Sequence, residues 1–257
     1  MSNSKTLLRA VVKRVIPKSL IEARRRRLIA QSIERVDKDL VGKPVSEIFS
    51  EIYRRQLWGR PADGRQFSSG HGSVMELHVA PYVAAVGAFV EKLSPKPSVV
   101  DLGCGDFNVG SRIRGHFGSY TACDVASEVL EENRKRYSGL NVDFRQLDII
   151  NDEFPEADVC IIRQVLQHLS NADISRVVKK LDKFRILILT EPLPKVDFTP
   201  NLDQPTGVSS RLARGIPSGI VLTEPPFSLP IVSSQVMCTT IDDMSQARLV
   251  TTAFWLK

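Results

Sequence analysis

The sequence predicts a doubly wound α/β fold of about seven mainly parallel strands, preceded by an N-terminal helical extension. Three observations predict it. Short apolar runs alternate with helical patterns from residue 98 onward. A glycine-rich loop, Asp101-Leu102-Gly103-Cys104-Gly105-Asp106-Phe107-Asn108, follows the first of those runs directly, and Asp124 and Asp148 stand at the ends of the next two.

The elements follow in order. Residues 98–102 read as a short buried strand, 120–124 as the second, 142–147 as the third, 158–162 as the fourth and 184–190 as the fifth. Helical patterns over 109–117, 127–137 and 172–183 fit between them, as βαβ units require. Apolar runs at 231–240 and 249–256 supply the last two strands. Residues 192–230 are rich in Pro, Gly, Ser and Thr and carry no long element. A loop of that length in a compact domain is expected to form a lid or a substrate wall. Ahead of the sheet, 75–93 suits a helix stopped by Pro95 and Pro97. The stretch 42–74 reads as a connector with a helix at 45–53 and loops around Trp58 and Ser68–Ser73.

Charge divides the chain into residues 1–44, a basic amphipathic extension, and 45–257, the α/β domain. Residues 1–36 hold ten Lys or Arg against two Glu, a local balance of +8, which leaves the rest near −2 in a chain of net +6. Leu7, Leu8, Val11, Val12, Val15 and Ile16 recur at helical spacing opposite Arg9, Lys13 and Arg14. Such a helix either packs on the domain or a partner subunit, as in a homodimer, or lies on an anionic membrane surface. The nearly neutral body disfavours a large nucleic-acid groove. No apolar run approaches the ~18 residues of a membrane span, and the basic residues among 7–16 interrupt any secretory signal. Cys104, Cys123, Cys160 and Cys238 are widely spaced and read as small buried hydrophobes in a reducing compartment, which places the protein in the cytoplasm. No Cys/His/Asp cluster has metal spacing, so no metal is expected.

Gly103 and Gly105 open the first crossover, where an open α/β sheet binds nucleotide-like ligands. A dinucleotide fingerprint needs a glycine where Asn108 stands, and no G-K-[ST] follows, which excludes a P-loop. Asp124 lies about twenty residues past Gly105, where a carboxylate accepts from ribose hydroxyls. Asp148 and Ile149 stand where the third strand could read and flank an adenine. Acids at three strand ends suit a cofactor without pyrophosphate, because they would repel phosphate.

The segment from Val99 to Asp106 resembles the first motif of class I S-adenosylmethionine-dependent methyltransferases. The resemblance continues through Asp124, Asp148, the fourth strand and Gln164-Val165-Leu166-Gln167-His168-Leu169, a segment similar to the small-molecule and glycan branch. It covers roughly residues 45 to 257. It implies a Rossmann-like methyltransferase sheet and S-adenosyl-L-methionine as cofactor, held by Asp101, Gly103, Cys104, Gly105, Asn108, Asp124, Val125, Asp148, Ile149 and Arg163. Many relatives carry an acid where this chain has Gln164, so either another group takes any role of that acid toward the acceptor or the acceptor needs less help.

Methyl transfer asks the protein to align donor and acceptor and, for a hydroxyl, to remove one proton. His168, just past the fourth strand, is the first candidate base, against a reading in which it braces the loop. His71, in the glycine-serine loop, is the second. Tyr53, Trp58, Gln164, Glu191, Asn201 and Phe227 are candidate acceptor contacts. The expected reaction is O-methylation of a small molecule or glycan by an enzyme in the cytoplasm, peripheral to the inner membrane face if the extension binds lipid. The alternatives are small-molecule N-methylation, RNA methylation through the basic extension, and a catalytically silent cofactor-binding module.

Overall fold

The computed structural model describes residues 35–40, 42–61, 63–242 and 246–257. The chain divides into two units, 1–41 and 42–257. In the first, residues 35–40 are helical. The amphipathic helix expected over residues 7–16, and the surface contact expected of it, lie outside the described residues.

The second unit begins with α1 (Val45–Arg54), the single turn α2 (His71–Val74) and α3 (Glu76–Val90). Then come β1 (Val99–Leu102), α4 (Asn108–Ile113), β2 (Tyr120–Asp124), α5 (Ser127–Arg136), β3 (Asp143–Gln146) and β4 (Val159–Arg163). The chain continues through α6 (Asn171–Val178), β5 (Ile186–Pro194), β6 (Ser233–Asp242) and β7 (Ala247–Trp255). The strands form one seven-stranded sheet in the order β3-β2-β1-β4-β5-β7-β6. Strands β1 to β5 are parallel, and β7 runs antiparallel to both β5 and β6.

The order explains where a ligand can sit. From β1 the chain steps outward to β2 and β3, then crosses back to place β4 on the other side of β1. The direction of winding therefore reverses between β1 and β4, and a crevice opens at their C-terminal ends. Both strands are near-continuous apolar runs because both faces are covered. On one face, Val99, Val159, Ile161, Ile186 and Ile188 share a core with Val79, Tyr82, Val86 and Val90 of α3 and Val109 and Ile113 of α4. Each fully buried aliphatic side chain contributes roughly 1.5–3 kcal/mol, so the strand ends are held by a rigid base.

Two boundary differences bear on the site. Helix α3 ends at Val90, where Glu91 caps it, so Pro95 and Pro97 follow the turn and do not stop the helix. Strand β5 runs on to Pro194, past the end of β4, whose ladder stops at Arg163 opposite Thr190. Pro192 and Pro194 are tolerated there because no β4 residue remains to pair with them, while β7 carries the pairing on the other side. The long segment after β5 has no regular element, yet it is bonded to the turn after β4. The Gly207 amide donates to His168 O at 2.9 Å, the Ser170 amide to Thr206 Oγ1 at 2.8 Å and Gln204 Nε2 to Gln167 O at 2.6 Å. These bonds fix the segment against that turn.

Candidate active site

The glycine loop is built from both sides. Its backbone turns left-handed at Gly103 (φ +77°) and Gly105 (φ +56°), and at Phe107 (φ 54°). A Cβ at Gly103 would lie 2.5 Å from Val165 Cγ2, and one at Gly105 would collide with Ser69 Oγ. Protein side chains therefore occupy the volume that these glycines leave open. The Gly105 amide donates to Asp124 Oδ2 at 2.9 Å, and Asn133 Nδ2 of α5 donates to Gly105 O at 2.7 Å. Asp106 is held by Arg65 Nη1 at 2.7 Å and by the Ser69 amide at 3.2 Å, and the Asp106 amide donates to Ser69 Oγ at 2.7 Å. Asn108, at the start of α4, donates from Nδ2 to Ser73 O at 2.6 Å. The connector thus lies directly on the loop. Cys104, between the glycines, is half-buried, with Sγ 3.7 Å from Gly105 O.

The acids around this loop are buried. Burial raises Asp101 to about 6, opposed by the 2.8 Å hydrogen bond from Tyr120 Oη. Asp124 is also pushed up by burial, opposed by the amides of Ala126, Gly105 and Val125. A carboxylate has about four acceptor positions, so Asp124 keeps capacity for a ligand hydroxyl after those three bonds. Val125 follows it, half-buried, with its carbonyl bound by Gln146 Nε2 at 3.2 Å. Asp148 is committed locally: Oδ1 accepts from the Ile150 amide at 2.8 Å and Oδ2 from Asn151 Nδ2 at 2.6 Å. It shapes the turn in which Ile149 is buried.

At the end of β4, Arg163 lies 5.0 Å over the Tyr82 ring. Gln164 adopts a left-handed backbone (φ 57°), and its amide donates to Thr190 O at 2.7 Å. The turn Leu166–His168 follows, and Glu191 of β5 caps it. Glu191 Oε1 accepts from the Leu166 amide at 2.9 Å and Oε2 from the Gln167 amide at 3.2 Å. Burial raises Glu191 to about 8, opposed by those amides and by the Arg211 charge. Glu191 is thus a brace for the turn that carries His168, and its two oxygens face the turn amides.

His168 stands in an aromatic and carbonyl setting. Its ring centroid is 5.1 Å from that of Trp58, whose Nε1 donates to Val208 O at 3.3 Å. The same Val208 carbonyl holds the imidazole, while Nδ1 is buried without a partner. Burial pushes His168 down to about 4, so the ring is neutral at pH 7. Tyr53 packs edge-on against Trp58 and Phe67, and its hydroxyl is 3.2 Å from Ser69 Oγ. Tyr53, Trp58 and His168 therefore form one group beside the loop. His71 stands apart, exposed at the start of α2. The Asn201 amide is committed inside the long segment, to the carbonyls of Val221 and Pro225 at 2.9 Å and to the Val221 amide at 2.8 Å. Phe227 is buried in the same segment. Both stabilise the wall from within.

Sequence reading missed Arg65, Ser69, Asn133, Val208 and Arg211, which hold the site together. Asn133 left one signal: an amide at i+4 from Val129 on the buried face of a highly charged helix. Arg211, the largest fully buried side chain, left none. Among the described residues no group of three or more His, Cys, Asp or Glu could hold a metal ion.

A reversing sheet with a glycine loop tied to the acid after β2 is the frame of a Rossmann-like methyltransferase fold. Residues 99–184 match the family model described as a methyltransferase domain. The chain is 30% identical over 149 residues to acetylserotonin O-methyltransferase of Bos taurus, an alignment covering 54% of this chain and 39% of that protein. It therefore spans about two fifths of that relative's length. The N-methyltransferase NodS of Bradyrhizobium japonicum WM9, solved with S-adenosyl-L-homocysteine, shares the fold at a TM-score of 0.53 and 11% identity, over 70% of this chain and 87% of that one. Human N-acetylserotonin methyltransferase, solved with S-adenosylmethionine, gives 0.51 and 16% identity, over 83% and 60%. S-adenosylmethionine is the cofactor of this domain class. The site fits it: the buried acids welcome ribose hydroxyls, and no phosphate has to be accommodated. No helix of the described residues is long and apolar enough to cross a membrane.

Proposed function

We propose that this chain transfers a methyl group from S-adenosylmethionine to a hydroxyl of a small molecule or glycan, with His168 as the proton acceptor. The observation that carries this is the buried, unpartnered Nδ1 of a neutral imidazole at the C-terminal end of β4. The Val208 carbonyl raises the ring's proton affinity against the effect of burial, and Nδ1 is the nitrogen without a partner. The bound donor supplies an electrophilic methyl group on sulfur. The loop and Asp124 hold its nucleoside, Glu191 fixes the turn that carries His168, and the wall from Thr206 to Arg211 excludes water. When the acceptor oxygen bonds to carbon and the carbon–sulfur bond breaks, the hydroxyl proton passes to Nδ1.

A base held near 4 is weak, and a weak base suits an acidic hydroxyl. A phenol, at about 10 by analogy with tyrosine, fits better than an aliphatic sugar hydroxyl. The neighbouring Trp58 and Tyr53 rings suit a flat acceptor, and the 30% identity to an O-methyltransferase supports hydroxyl chemistry. The basic extension would hold the enzyme near an anionic surface, with binding that weakens as salt rises.

His168→Gln tests the role of His168. It should lower kcat by about 10²–10⁴-fold with phenolic acceptors and leave donor affinity unchanged. The acidic limb of the wild-type activity profile, expected near 4 and well below the usual histidine range, should disappear. An equal loss of donor binding and of fold would instead make His168 a brace.

A further inference from the structure

Among the described residues no carboxylate bonds Arg163. It stands at the end of β4, one residue past the pairing of Ile162 with Leu102, and so at the level of Gly103. Its Nη2 donates to Gly72 O at 2.8 Å and its Nη1 to Gln164 Oε1 at 3.1 Å. Nε is buried and unpartnered, and the Tyr82 ring closes one face of the guanidinium. Two acids act on it through space without bonding it: Asp101, which already accepts from Tyr120 Oη, and Asp106, which is paired with Arg65. Among the described residues, the oxygens that bond Arg163 are all neutral. Arg163 is half-buried, and partly desolvating a guanidinium without a paired counter-charge is costly. The position therefore calls for an anion that the protein does not itself provide.

The place of Arg163 in the sheet indicates which anion. Asp124 marks the nucleoside end of the site on β2, and Arg163 lies on β4, on the other side of β1. Two strand spacings separate them, about 10 Å, comparable to the span from a ribose to the far end of an attached amino-acid chain. An S-adenosyl amino acid has no phosphate, and its only anionic group is a carboxylate at that end. We propose that Arg163 receives the carboxylate of the donor's methionyl group and so sets which way the donor lies across the glycine loop. This rests on the proposed use of S-adenosylmethionine by this chain. The planar fork suits a carboxylate, and the bonds to Gly72 and Gln164 hold the fork before the ligand arrives.

Calorimetric titration tests the assignment without turnover. The ligands are S-adenosylhomocysteine and its decarboxylated analogue, which keeps the nucleoside, the thioether and the amine. The intact protein should prefer S-adenosylhomocysteine by on the order of 100-fold, as for a charge-assisted pair. Arg163→Met should erase that preference by weakening S-adenosylhomocysteine alone, and Arg163→Lys should restore part of it. Equal weakening of both ligands would overturn the proposal and make Arg163 a brace. So would an unchanged affinity for S-adenosylhomocysteine, and a rise confined to the KM of carboxylate-bearing acceptors would move the partner to the acceptor. Should Arg163→Met fail to fold, Arg163→Lys decides, since loss of the planar fork should shrink the preference several-fold. If the intact protein binds neither ligand, the donor itself is wrong and the Arg163 assignment falls with it.

Discussion

The Gly105 amide donates to Asp124 Oδ2 at 2.9 Å, so the loop after β1 and the acid after β2 are one structural unit. Asn133 closes the unit from α5 through its bond to Gly105 O. Replacing Asp124 therefore removes the proposed ribose contact and also releases the loop. Asp124→Ala should weaken S-adenosylhomocysteine binding by roughly 2–5 kcal/mol, the loss expected when one partner of a buried charged hydrogen bond is removed. Titration calorimetry reads this directly, and an unchanged dissociation constant would move the ribose contact elsewhere.

The glycine at 103 is required by packing as well as by backbone. Gly103→Ala would force a Cβ against Val165 at a backbone conformation that side chains disfavour. The substitution should cost about 2–4 kcal/mol, from a left-handed residue and an overpacked contact together. The shift in denaturation midpoint measures it. Val165→Ala in the same chain should recover the packing part and leave the backbone part.

Glu191 gives stability a pH dependence with a definite sign. Burial raises its folded value from 4.5 to about 8, so the folded state keeps a proton that the unfolded state has already released. Its contribution is full below the ordinary carboxylate range and is lost as pH rises from about 4.5 toward 8, by up to about 1.4 kcal/mol per pH unit. Chemical denaturation between about pH 6.5 and 8, above the ranges in which Asp101 and His168 titrate, should show stability falling, and Glu191→Gln should flatten the curve there. A wild-type curve without slope would place the Glu191 carboxyl in the ordinary range.

The fold was legible because its signals are local. Buried strands such as Val99–Leu102 and Val159–Arg163 are unbroken apolar runs, and Tyr120–Asp124 ends on the acid that marks it. The loop and Asp124 were legible for the same reason. What holds them was not. Ser69, Arg65 and Arg211 act across many residues of sequence, and nothing near them marks the distant partner. Asn201 and Glu191 read as candidate acceptor contacts, but the bonds of their side chains are made within the protein, to partners far along the sequence. Pro192 and Pro194 read as loop because proline seldom continues a central strand, and the end of β4 removes that objection.

The most direct test of the central claim is the chemical identity of the transferred methyl group's new partner. The intact protein, incubated with ¹³C-methyl S-adenosylmethionine and a panel of phenols, sugars and small amines, gives products whose methyl carbon can be assigned by NMR. A methoxyl carbon on a phenol, formed by the wild type and strongly reduced in His168→Gln, is the predicted result. An N-methyl product as the main species, or methoxyl formation undiminished in His168→Gln, would contradict the account.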